Sequence, residues 1–127
     1  MENSTCEILP QDCNKFDYSF KLIIIGDSGV GKSSLIKRTI KNVFESDCQP
    51  TLGCEFYTFI TKINNNNVKC QIWYLCQEKY RSLIISFYNN LSLAIIIYAI
   101  NDISSFDNVN FCLMNLKIKQ VLILKLY

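Results

Sequence analysis

Eight consecutive residues, Gly26-Asp27-Ser28-Gly29-Val30-Gly31-Lys32-Ser33, constrain this chain more than any other feature of its sequence. They fit the pattern G-x-x-x-x-G-K-S, and they hold three of the chain's four glycines. The apolar run Leu22-Ile23-Ile24-Ile25 precedes them, as in a strand buried on both faces. Leu35, Ile36, Ile40, Val43 and Phe44 follow at helical spacing, which predicts a helix from Lys32 to about Phe44. Each residue type at this junction has a physical task. Glycines permit the backbone angles that turn successive N–H groups inward toward an anion. The helix beginning near Lys32 aims its positive end at the same point. The Lys32 ammonium neutralises phosphate oxygens, and the Ser33 hydroxyl is suited to a magnesium ion. A plain turn between strand and helix would not ask for the lysine, so the pattern points to phosphate binding.

The rest of the chain alternates in kind. Residues 1–17 are polar and aperiodic and are expected to form a loose N-terminal extension; residues 18–127 are expected to form one partial domain. Tyr18 to Ile25 is predicted as a strand. Cys54 to Thr61 and Val68 to Trp73 alternate in hydropathy on either side of Asn64-Asn65-Asn66-Asn67, which predicts a hairpin. A helix is expected next, then a continuous apolar strand over Leu93 to Ile100. Ser104-Ser105 precede Phe106, Val109, Leu113 and Leu116 at helical spacing, with Asp107 placed for a capping box on Ser104. Gln120 to Leu126 is the last predicted strand. The order implies an α/β fold: an open, mostly parallel sheet with one antiparallel hairpin edge and helices on both faces.

Composition narrows the function classes. A net charge of +2 without a basic cluster argues against a nucleic-acid partner. Seven cysteines, none spaced C-x-x-C, in a chain without histidine argue against zinc and for reduced cytosolic thiols. The longest apolar run, Leu91 to Ile100, is half of what a membrane span needs, and Glu2 stands where myristoylation needs glycine. No intrinsic membrane anchor is therefore expected.

The loop Gly26–Ser33 resembles the P-loop of Rab GTPases, the Ras-superfamily members that direct vesicle traffic, and the resemblance runs from about Phe20 to Gln120. Pro50 to Phe56 resembles the first switch, Gln71-Ile72-Trp73 the strand leading to the second, and Gln77 to Leu83 the second switch itself. The resemblance implies a P-loop NTPase-like fold that binds GTP or GDP with Mg²⁺. It implies nucleotide contacts from Gly26, Asp27, Ser28, Gly29, Val30, Gly31, Lys32, Ser33, Ser34 and Thr51, metal contacts from Ser33 and Thr51, and a water-positioning role for Gln77. It implies an effector surface at Phe56, Trp73 and Phe87 or Tyr88, with ordinary strand packing as the alternative for these aromatics. A cytoplasmic protein, peripheral to endomembranes through partners, is the implied setting.

The chain also departs from the family pattern. Where the family reads Trp-Asp-Thr-Ala-Gly-Gln-Glu, this chain reads Trp73-Tyr74-Leu75-Cys76-Gln77-Glu78. The metal-holding aspartate and the phosphate-sensing glycine are both replaced, and one residue is missing. Mg²⁺ binding is expected to be weakened and GTP hydrolysis impaired. The sequence stops before the guanine-reading motif, about a third of the family domain short. Little discrimination between GTP and ATP is expected on that ground, as is an exposed apolar patch at Leu22, Ile24, Ile95 and Ile97 that drives association. Three readings result: a Rab-like GTP-binding switch, a pseudo-GTPase serving as an interaction module, and a non-functional truncated product.

Overall fold

A computed structural model describes residues 7–9, 15–46, 49, 53–76, 90–116 and 121–126. Six strands form one sheet: β1 (Glu7–Leu9), β2 (Tyr18–Ile25), β3 (Gly53–Ile63), β4 (Asn66–Cys76), β5 (Leu93–Ala99) and β6 (Val121–Leu126). Among the described residues two helices accompany them, α1 (Lys32–Lys41) and α2 (Ile103–Asn115). The strand order is β1-β3-β4-β2-β5-β6. Pairings β2–β4, β2–β5 and β5–β6 are parallel, whereas β1–β3 and β3–β4 are antiparallel. The mixed sheet and its helices have the expected α/β architecture. The helix expected between the hairpin and β5 lies outside the described residues.

The continuous apolar strands owe their composition to burial on both faces. Ile23, Ile25, Ala94 and Ile96 pack with Val109 and Leu116 beneath α2. Ile24 and Ile97 pack on the opposite face with Val30, Ile36, Ile72 and Tyr74 beneath α1. Successive residues of β2 therefore serve different cores, as the two-residue period of a strand requires. The exposed patch expected on this second face is corrected here: Ile24 is 3% exposed and Ile97 0%. Leu22 and Ile95 are partly buried against the same cluster, together with Tyr57, Phe59 and Leu126. Side chains of the curled hairpin and of β6 cover what a further helix was expected to cover.

Other boundaries shift for local reasons. Helix α1 stops at Lys41, because Asn42 adopts a left-handed conformation (φ 54°) and returns its N–H to the Arg38 carbonyl. Val43 and Phe44, expected on the buried helix face, are exposed. The hairpin turn needs only Asn64 and Asn65, both left-handed, so Asn66 and Asn67 begin β4. Residues 7–9 are not loose: they add a strand to β3, pairing Ile8 with Thr61. Behind them, the Asp17 carboxylate accepts from the Asn67 N–H at 2.7 Å, and Asn67 returns a side-chain bond to the Lys15 carbonyl. The cap of α2 is Asp102 rather than Ser104 with Asp107, and its carboxylate accepts from the N–H groups of Ser104 and Ser105.

Candidate functional site

The loop from Gly26 to Gly31 leaves the C-terminal end of β2, where the parallel central strands terminate, and enters α1. That position outside the carboxyl ends of parallel strands is where open α/β sheets receive ligands. Gly26 has φ +148°, and a Cβ there would stand 2.2 Å from the Ile97 carbonyl oxygen of β5. Only glycine allows so close an approach of loop to sheet. Gly31, the N-cap of α1, has φ 98° and no side-chain cap, so the first helical N–H groups are not closed by a capping side chain. Val30 is buried at 3% and anchors the loop in the core beneath α1. Ser28 and Gly29 are exposed at the loop's tip.

Lys32 is 4% exposed, a rare burial for an ammonium group. Its Nζ donates to the carbonyls of Gly26 (2.8 Å) and Asp27 (2.5 Å), which folds the side chain back over the loop. Burying a charge without polar partners would be costly, and the two carbonyls supply them. The loop thus holds a cation on two of its own carbonyls at the head of α1, whose positive end suits an anion. Asp27 is held from the far side, since Asn108 Nδ2 of α2 donates to its carboxylate at 2.7 Å. Sequence reasoning missed Asn108, because no local pattern ties α2 to the loop. Ser34 sits in the first turn of α1, half-buried.

Ser33 hydrogen-bonds through Oγ to the Tyr74 hydroxyl. Tyr74 is 2% exposed and reaches this position because the parallel register of β2 and β4 sets it opposite Ile24. Lys32 Nζ also lies 6.0 Å from the centre of the Tyr74 ring. The described residues offer a magnesium ion the Ser33 hydroxyl with a phenol beside it. Magnesium prefers charged or strongly polar oxygens in an octahedral shell, and the Ser33–Tyr74 pair offers two hydroxyls and no carboxylate. Among the described residues, no group of three or more Asp, Glu, Cys or His could hold a metal ion. Thr51 and Gln77 lie outside the described residues, as does Phe87.

The aromatic surface is partly visible. Phe56 and Trp73 face one another across β3 and β4, with ring centres 4.6 Å apart, and Lys21 Nζ stands 5.7 Å over Trp73. Phe56 is 45% exposed, whereas Trp73 packs partly against the core beneath α2. Cys54 is exposed, and Cys70 and Cys112 are partly buried. No helix among the described residues is long and apolar enough to cross a membrane.

The Ras family pattern matches residues 21–123. The chain is similar to the GTP-binding protein ypt3 of Schizosaccharomyces pombe, with 42% identity over 105 residues, 82% of this chain and 49% of that protein. It is also similar to the Ras-related protein RABA1a of Arabidopsis thaliana, with 43% identity over 95 residues, 74% of this chain and 44% of that protein. The Ras-related protein YPT3 of Nicotiana plumbaginifolia is 39% identical over 105 residues, 82% of this chain and 48% of its own length. The chain spans about half the length of the curated relatives it matches.

Proposed function

This chain belongs to the Ras family as a Rab-like small GTPase, and from that premise we propose that it binds guanine nucleotide through its phosphates. The proposed contacts are Gly26 to Ser34 with Thr51, and the proposed role is a nucleotide-dependent switch in vesicle traffic, peripheral to endomembranes through partners. The observation that carries the phosphate reading is Lys32, buried and folded over the carbonyls of Gly26 and Asp27 at the head of α1. A buried lysine in a ring of glycine backbone has little use in packing and a direct one in charge neutralisation. Phe56 and Trp73 support a protein-binding surface on the β3–β4 face, since aromatic pairs with an exposed member suit interfaces.

Titration of the full chain with GDP and inorganic triphosphate tests the phosphate reading. Lys32→Ala is expected to weaken both about tenfold or more, as loss of a charge-assisted contact implies. Equal affinity in the variant overturns the reading.

The pairing of Tyr74 with Ser33 supports a second reading, a pseudo-GTPase that serves as an interaction module without nucleotide cycling. Hydrolysis is expected at or below the slow intrinsic rate of small GTPases, with Tyr74→Asp plus a glycine inserted before Gln77 raising it. Wild-type turnover of GTP with a magnesium dependence that Lys32→Ala removes would overturn both the impairment and this second reading.

A further inference from the structure

Tyr74 differs from its neighbours on β4 in carrying a hydroxyl into an otherwise apolar cluster. Its ring packs with Ile24, Val30, Ile36, Ile72 and Ile97, and 2% of the residue is exposed. A phenol buried this deeply needs a partner for its O–H. One partner is Ser33 Oγ, the first-turn hydroxyl of α1. The phenol oxygen therefore occupies the approach to Ser33 from the β4 side, with the Lys32 ammonium 6.0 Å from the ring centre.

The chemistry of this pair is that of an anion site. Of two hydroxyls bonded to each other, one keeps its proton to donate to an anion, and neither is a carboxylate that compensates a divalent cation. A magnesium ion on Ser33 would share that oxygen with the Tyr74 hydroxyl, whose ring the core holds in place. Positive charge for a phosphate chain is already present in Lys32, held on the Gly26 and Asp27 carbonyls at the start of α1.

We propose that this loop binds the diphosphate of a nucleotide without a divalent cation, with the Tyr74–Ser33 hydroxyl pair in the place of the metal. The proposal rests on the phosphate-binding reading above and deepens it by naming how the ligand's charge is balanced. Tyr74 is then a specificity-determining residue: it frees diphosphate binding at this loop from any need for magnesium.

Calorimetric titration of the full chain with GDP, in excess EDTA and again in excess magnesium chloride, tests this. The affinities are expected to agree within about threefold, a difference of roughly 0.6 kcal/mol. Tyr74→Phe is expected to weaken binding about tenfold in both conditions, because it removes a hydrogen bond near a charged ligand. Tyr74→Asp is expected to make binding magnesium-dependent by about tenfold or more, since a carboxylate then faces Ser33 across the space the ring vacates. Wild-type binding that tightens tenfold or more with magnesium overturns the proposal and leaves the phosphate reading standing. Failure to bind GDP in either condition overturns both. The wild-type comparison decides the matter even if a substitution at this buried position prevents folding.

Discussion

Gly26 and Gly29 show how one motif can use the same residue for two physical ends. A Cβ on Gly26 would meet the Ile97 carbonyl oxygen at 2.2 Å, whereas a Cβ on Gly29 meets nothing within 4 Å. Gly29→Ala is therefore expected to cost only the strain of its positive φ (+81°), about 1–2 kcal/mol. Gly26→Ala is expected to cost clearly more, because backbone of β5 must move as well, and close-packed cores yield poorly. Urea melts of the two variants check the ranking, and equal midpoints would overturn it. The motif's identity was legible from spacing alone, since glycine, lysine and serine announce their chemistry by type. The contacts that tune it were not. Tyr74 reads in the sequence only as a substituted acid; that its hydroxyl meets Ser33 depends on the register pairing Ile24 with Tyr74. Asn108 on Asp27 is likewise a tertiary event, set by how α2 crosses the sheet.

Elements announce themselves by period and end by local chemistry, and the two differ in legibility. Strand β2 spans Tyr18–Ile25 as predicted; only its apolar end, Ile23 to Ile25, is buried on both faces and so needs no alternation, whereas Tyr18, Ser19 and Phe20 are exposed. The turn between β3 and β4 shrinks from four asparagines to two, since asparagine tolerates the left-handed angles at positions 64 and 65 while the ladder claims the rest. The start of α2 was misjudged because several residues there can cap. Asp102 wins: its carboxylate takes the Ser104 hydroxyl at 2.6 Å and the N–H groups of Ser104 and Ser105. The hydrogen bond from the Ser104 hydroxyl, with help from both backbone N–H groups, holds the Asp102 carboxyl below its usual pKa. A depressed carboxylate pKa stabilises the fold above the unfolded value, near 3.9, and that support is lost as pH falls through the folded value. The acid limb of stability is therefore expected to flatten in Asp102→Ala, with α2 amides exchanging faster at neutral pH. Asp102→Asn, which keeps a capping oxygen but no titrating charge, is expected to hold α2 at neutral pH and also flatten the acid limb. An Asp102→Ala variant with the wild-type pH profile would remove Asp102 from the account of α2.

At the scale of the whole molecule, the two cores are not independent, because the same strands floor both. Ile23 and Ile96 close the face beneath α2, and Ile24 and Ile97 close the face beneath α1. Loss of packing on one side must loosen β2 and β5, and with them the other side. The expectation of an open face beneath α1 erred by counting helices alone. Tyr57 and Phe59 from β3 and Leu126 from β6 also reach that cluster, and strand side chains shield apolar surface as well as helices do. Ile36 is the test of coupling, since it is 2% exposed, belongs to α1 and packs only in the second cluster. Ile36→Ala is expected to cost about 2–5 kcal/mol, a large share of the 5–15 kcal/mol that holds a typical domain. Trp73 is the chain's one tryptophan and packs against the first cluster, so its fluorescence reports the face that Ile36 does not touch. In Ile36→Ala, Trp73 fluorescence and far-ultraviolet circular dichroism are expected to shift together to one lower urea midpoint. A Trp73 transition left at its wild-type midpoint would show that the two faces unfold separately. The shared strands would then not transmit the loss, and the sheet would be two half-cores joined only by backbone.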